Sequence, residues 1–178
     1  ADLVYVNGYI YTPRGNNTST FWRYQIANNT WEVLANAPLS LNGNIDITTN
    51  GSHIFIARQQ GSKSFMSYDI ATNTWAELTD APYNSRDAGV QYFSGDKYVY
   101  FFRGTATQNF WKYDIENNKF VGPKDAPETL STGSSMHFHA ATGRFYLTRG
   151  SSSRTLYSFD PNLNEWEQLT DSPTSPST

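Results

Sequence analysis

Residues 98–102 read Tyr-Val-Tyr-Phe-Phe, apolar at every position, whereas residues 110–115 read Phe-Trp-Lys-Tyr-Asp-Ile and alternate aromatics with polar groups. A period of two rather than 3.6 predicts strands. The first kind of run recurs at 9–13, 53–57 and 144–148. It predicts strands covered on both faces, with Tyr11, Phe55, Tyr100 and Tyr146 on one side and Ile10, Ile54, Val99 and Phe145 on the other. An alternating strand follows each run, and a tight turn reverses it. Asn29, Asn73, Asn118 and Asn164 mark that turn, because asparagine tolerates left-handed backbone better than any residue except glycine. The last strand, as at 74–78, puts Glu32, Glu77, Glu165 and Glu167 on an exposed edge, where charge discourages sheet-to-sheet aggregation. A first strand is predicted at 3–6, 45–48, 90–93 and 136–138, completing four antiparallel strands per copy.

The copies follow a strict arithmetic. Trp31, Trp75, Phe120 and Trp166 are spaced by 44, 45 and 46 residues. Arg14, Arg58, Arg103 and Arg149 each precede an aromatic by ten residues, and that aromatic (Tyr24, Tyr68, Tyr113, Phe159) precedes the Trp or Phe by seven. From each Arg to Pro38, Pro82, Pro127 or Pro173 is 24 residues, but from Pro to the next Arg is 20, 21 and then 22. Length variation is thus confined to one segment, which predicts a tolerant surface loop beside a geometrically fixed block. A repeat of about 45 residues is typical of a propeller blade, with blades at about 1–38, 39–82, 83–127 and 128–173. The expected fold is an all-β propeller domain over 1–173, followed by a Ser/Thr/Pro tail at 174–178.

The Tyr-Asp pairs at 68–69 and 113–114, the turn, the Trp or Phe seven residues after the Tyr, and the Pro seven further on resemble the kelch repeat. The departure is Arg in place of the first glycine of the pair that ends the second kelch strand: Arg14-Gly15, Arg58-Gln59, Arg103-Gly104 and Arg149-Gly150. The resemblance implies that the loops after the second strands share a rim with the connections between blades, and that partners bind there. Arg14, Arg58, Arg103 and Arg149, with Arg86 and Arg154 from the same classes of loop, would then gather at one mouth. Guanidinium forks suit carboxylates and phosphates, so acidic peptides or sugars are the natural ligands of such a mouth. Against this, a residue identical in every copy is more simply a scaffold element that satisfies carbonyls at a strand end. The polar loops 15–20, 59–64, 104–109 and 150–155 are the contact candidates on that rim.

Composition narrows the function. With 16 acidic and 13 basic residues the formal charge is −3, which provides no general attraction to nucleic acid, and no apolar run approaches a membrane span. The absence of cysteine excludes disulfides, thiolate metal sites and the Tyr–Cys cofactor of the galactose-oxidase-like enzymes that share kelch-like propellers. His137 and His139 share a strand face, and with His53 elsewhere no third metal ligand joins them; neither a metal nor any other cofactor is expected. Asp69, Asp114 and Asp160 recur at the turns, with Gln25 in their place in the first copy, and read as turn caps rather than acid–base groups. Trp22 and Trp111 alternate with charge and read as core.

Asn, Thr and Ser together make 53 of 178 residues, a composition of extracellular or surface domains. Asn16, Asn17, Asn28 and Asn50 head glycosylation sequons, used only on an exposed loop in a glycosylating route. The reading is a non-catalytic extracellular binding or scaffold module for a protein or glycan. The alternatives are a purely structural assembly subunit and, least favoured, an oxidase fragment. Four blades are compatible with a compact ring, half of an eight-bladed ring built by a homodimer, or part of a longer propeller continuing into further blades.

Overall fold

A computed structural model describes residues 2–41, 45–58, 61–84, 89–92 and 97–175. Among these the chain forms four four-stranded antiparallel sheets and no helix. Sheet 1 comprises β1 (Val4–Val6), β2 (Tyr9–Pro13), β3 (Phe21–Gln25) and β4 (Thr30–Val33). Sheet 2 comprises β5 (Ile45–Thr49), β6 (His53–Arg58), β7 (Phe65–Asp69) and β8 (Thr74–Glu77). Sheet 3 comprises β9 (Gly89–Tyr92), β10 (Tyr98–Phe102), β11 (Phe110–Asp114) and β12 (Lys119–Val121). Sheet 4 comprises β13 (Ser135–His139), β14 (Arg144–Thr148), β15 (Leu156–Asp160) and β16 (Glu165–Gln168). In every sheet the strands pair in chain order, the repeated four-blade-like architecture that fits a β-propeller. The first strands differ from expectation at their ends: β1 is shorter, β5 and β13 are longer, and β9 begins one residue earlier, with Phe93 outside the described residues.

The turn between third and fourth strands is built as its residues dictate. Asn29, Asn73, Asn118 and Asn164 have φ of 54°, 54°, 47° and 56°, the left-handed region in which an asparagine costs little. Asp69, Asp114 and Asp160 each accept two backbone N–H bonds from the residues two and three positions on. The bond from the Thr72 N–H leads in holding the Asp69 carboxyl below its ordinary value. In sheet 1, Gln25 serves the same turn by accepting from the Asn28 amide at 2.9 Å.

The chain divides into two compact units, Ala1–Asn84 and Ser85–Thr178, each holding two sheets. In the first unit, Tyr11 and Phe21 of sheet 1 meet Tyr68 and Trp75 of sheet 2, with Phe21 5.1 Å from Tyr68 and 5.0 Å from Trp75. The second unit repeats the arrangement. Phe110 lies 4.9 Å from Phe159 and 5.0 Å from Trp166, while Tyr100 lies 4.7 Å from Phe145. Such tilted and edge-on aromatic pairs add to the burial that holds the sheets together.

A polar latch closes each pair of sheets. The Trp75 indole N–H donates to the Ala35 carbonyl at 2.8 Å, and the Ala35 N–H donates to Asn73 Oδ1 at 2.9 Å. Trp166 and Asn164 hold the carbonyl and N–H of Lys124 in the same way, at 3.0 and 2.9 Å. One asparagine thus makes the left-handed turn and one half of the latch.

The expectation that every second strand is covered on both faces holds for β6 and β10, where Ile54, Phe55, Val99 and Tyr100 are all buried. It fails for β2 and β14. Ile10 and Tyr146 are only half-buried, and neither joins the core cluster of its unit.

Candidate functional site

Each loop between second and third strands begins at the repeated arginine and is closed by its backbone. Arg14, Arg58, Arg103 and Arg149 donate their N–H to Thr20, Ser64, Asn109 and Thr155, six residues on. The carbonyl one residue before that acceptor takes a second bond, from the N–H of Ala37, Ala81, Ala126 or Ser172 in the exit segment. A fixed frame therefore surrounds every loop, in keeping with the constant 24-residue length of the block.

The arginines belong to different units: Arg14 and Arg58 to the first, Arg103, Arg149 and Arg154 to the second. Arg86 lies outside the described residues. Arg14 is exposed, whereas Arg58 and Arg103 are half-buried with their Nε atoms enclosed. Arg149 donates Nε to the Thr129 carbonyl at 3.1 Å, and its Nη1 lies 2.7 Å from Glu128 Oε2. Arg154 donates Nε to the Ser172 carbonyl at 2.6 Å. Sequence spacing missed these partners, because Glu128 and Thr129 lie in the segment whose length varies between copies.

The loop after β14 packs closely on the segment that precedes β13. Gly150 has φ of 75°, and a Cβ there would fall 2.5 Å from the Thr132 carbonyl oxygen and 2.6 Å from the Ser134 nitrogen. Only glycine fits both the backbone conformation and the close approach. Ser151 and Ser152 continue with φ of 48° and 57°, and the Ser151 N–H bonds the Thr132 carbonyl at 2.9 Å. Beside this loop opens a cavity of about 450 Å³, lined mainly by apolar surface of small residues of the loop and its neighbours, among them Thr148, Ser151, Ser152, Ser153, Thr155, Leu156 and Thr170. A second cavity of about 340 Å³ lies against Thr129, Ser131 and Arg149.

The remaining candidates divide sharply. His137 and His139 share the open face of sheet 4, and His139 Nδ1 contacts Thr142 Oγ1 at 3.1 Å. His53 belongs to the first unit and lies 3.6 Å from Asp69. Among the described residues no three His, Cys, Asp or Glu side chains group as metal ligands. Asn16, Asn17 and Asn28 are exposed on loops, whereas Asn50 is half-buried, with its Oδ1 accepting from the N–H groups of Ser52 and His53. Trp22 and Trp111 are half-buried, and Trp22 lines a shallow hollow with Trp31 and Val33. In the loop at 59–64, Gln59 and Gln60 lie outside the described residues.

No protein-family model matches the chain, and no curated protein matches it. Among solved structures the chain is similar to that of YjhT, with a TM-score of 0.78 at 12% identity over 97% of this chain. The chain spans 66% of YjhT's length. At that identity the likeness shows the fold and nothing about activity.

Proposed function

We propose that this chain is a kelch-like propeller segment acting as a non-catalytic, extracellular binding or scaffold module, with a protein or glycan held on its loop side. The observation that carries the reading is the open cavity beside the loop after β14, whose backbone is fixed by Gly150 and the Ser151–Thr132 bond. Preformed concave sites with a few placed polar groups are the usual form of a binding site. Arg149 is already engaged by Glu128 and Arg154 by a carbonyl, which favours a neutral partner over a polyanion. Nitrogen-15 NMR titration with panels of neutral glycans, acidic glycans and peptides tests this. Shifts confined to 150–155 with a salt-independent affinity are expected, and the absence of any response across all panels refutes it.

A second reading, an assembly subunit, is supported by one face of sheet 1. Leu3, Tyr5, Trp31 and Val33 are 57%, 61%, 61% and 69% exposed. By strand register all four lie on the same face, together with Trp22. An apolar surface of this kind fits association or continuation into a further blade better than a closed four-bladed ring. Sedimentation equilibrium distinguishes them: a monomer at every concentration removes the homodimer.

A further inference from the structure

Asparagine precedes glycine at 7–8, 42–43 and 50–51. A following residue without Cβ leaves its amide nitrogen free to approach the asparagine side-chain carbonyl. Asn42 and Gly43 lie outside the described residues. The other two pairs both sit in turns, and the turns treat them differently.

Asn7 and Gly8 make the two-residue turn between β1 and β2, with φ of 46° and 88°. Among the described residues no hydrogen bond reaches the Asn7 side chain. Asn50 opens the turn between β5 and β6, at the other end of β6 from Arg58. Its Oδ1 accepts from the Ser52 N–H at 3.1 Å, the Ser52 hydroxyl at 3.1 Å and the His53 N–H at 2.8 Å. The bond to Ser52 closes an Asx turn, which folds Cγ of Asn50 back towards the Gly51 nitrogen. Gly51 is exposed, with φ of 91°, and its N–H donates to Thr49 Oγ1 at 3.0 Å, which holds that peptide in place. The Asn50 Nδ2 makes no hydrogen bond among the described residues, so its departure breaks none.

We infer that Asn50–Gly51 is a site of deamidation assisted by the fold. The Gly51 nitrogen attacks Cγ of Asn50, and the N–Cγ bond forms as the carbonyl electrons move onto Oδ1. Three donors already surround that oxygen, the arrangement that stabilises an oxyanion. Collapse breaks the Cγ–Nδ2 bond, and Nδ2 leaves as ammonia with the proton that Gly51 gives up. Water then opens the succinimide to aspartate or to isoaspartate. The aspartate product keeps the same three donors, which bond a charged oxygen more strongly. The isoaspartate product adds one backbone carbon to the turn between β5 and β6. The site is independent of the binding reading, which stands or falls without it.

The test incubates the full chain in mildly alkaline buffer of fixed pH, folded and in urea, and follows each asparagine by peptide mapping with mass spectrometry. In the folded chain Asn50 is expected to convert several-fold faster than Asn7, and unfolding should bring the two rates together by slowing Asn50. Ser52→Ala removes one of the three donors and should slow Asn50 about two- to tenfold, the worth of one ordinary hydrogen bond. The Asn7 rate and the melting temperature should not move in that variant. Equal rates at Asn50 and Asn7 in the folded chain overturn the inference, as does an Asn50 rate that rises on unfolding. An unchanged Asn50 rate in folded Ser52→Ala overturns it as well.

Discussion

Trp31 and Trp75 occupy the same position in the two sheets of the first unit, each two residues after a left-handed asparagine, and they end in opposite environments. Trp75 packs at 5.0 Å on Phe21 and donates to the Ala35 carbonyl. Trp31 is 61% exposed, with its ring against Tyr24 and Trp22 of its own sheet, and among the described residues its N–H meets no acceptor. A repeat motif specifies how a sheet is built, but a neighbouring sheet decides whether a given side chain is core, latch or surface.

Truncating the two tryptophans gives the sharpest contrast. Trp75→Ala removes a ring from the sheet 1–sheet 2 core and should cost about 3–5 kcal/mol in urea unfolding, whereas Trp31→Ala should stay within about 0.5 kcal/mol. Equal losses would mean that Trp31 is covered in solution. Asn73→Ala comes next. It forces alanine to φ of 54° and removes the acceptor of both Tyr68 and Ala35, for an expected loss of about 2–3 kcal/mol. Asn29→Ala, which loses only the Tyr24 bond and the turn preference, should cost less in the same titration.

Trp166→Phe leaves a smaller aromatic ring and deletes the bond to Lys124, and should cost at least about 1 kcal/mol by thermal melting. The third copy already carries Phe120 at this position. Tyr68→Phe, which reproduces the Phe159 of sheet 4, should cost the least, about 0.5–1.5 kcal/mol. Burial pushes the Tyr68 and Tyr113 hydroxyls up to about 12. Because these folded-state values lie above the unfolded value near 10, their contribution is complete below pH 10 and is lost as pH rises towards 12. Alkaline unfolding followed by circular dichroism should fall in that window, and Tyr68→Phe should move its midpoint upward.

The sheets were legible because their signals are local: period-two alternation, asparagine at the reversal, aspartate as turn cap. The latch was not, although its residues were in view. The tryptophans read as apolar area, and nothing in the spacing tells that an indole N–H reaches a carbonyl 40 residues earlier in the chain, as Trp75 does with Ala35. Leu41 and Leu130, which bridge to Thr18 and Thr107, carried a readable signal, a leucine three residues after the repeat proline, but it occurs only in the first and third copies and lies in the segment of variable length. The arginines stood out by repetition, and repetition alone is silent about their partners: Arg149 meets Glu128, a residue with no acidic counterpart two copies back, where Leu39 stands.

Every ladder joins strands that are consecutive in the chain. Forming one sheet closes only short loops, at little entropic cost, and needs no segment from a distant part of the sequence. During synthesis, the first sheet can therefore be complete before the second has been made. Such a chain can gain or lose whole sheets in evolution without rethreading those that remain.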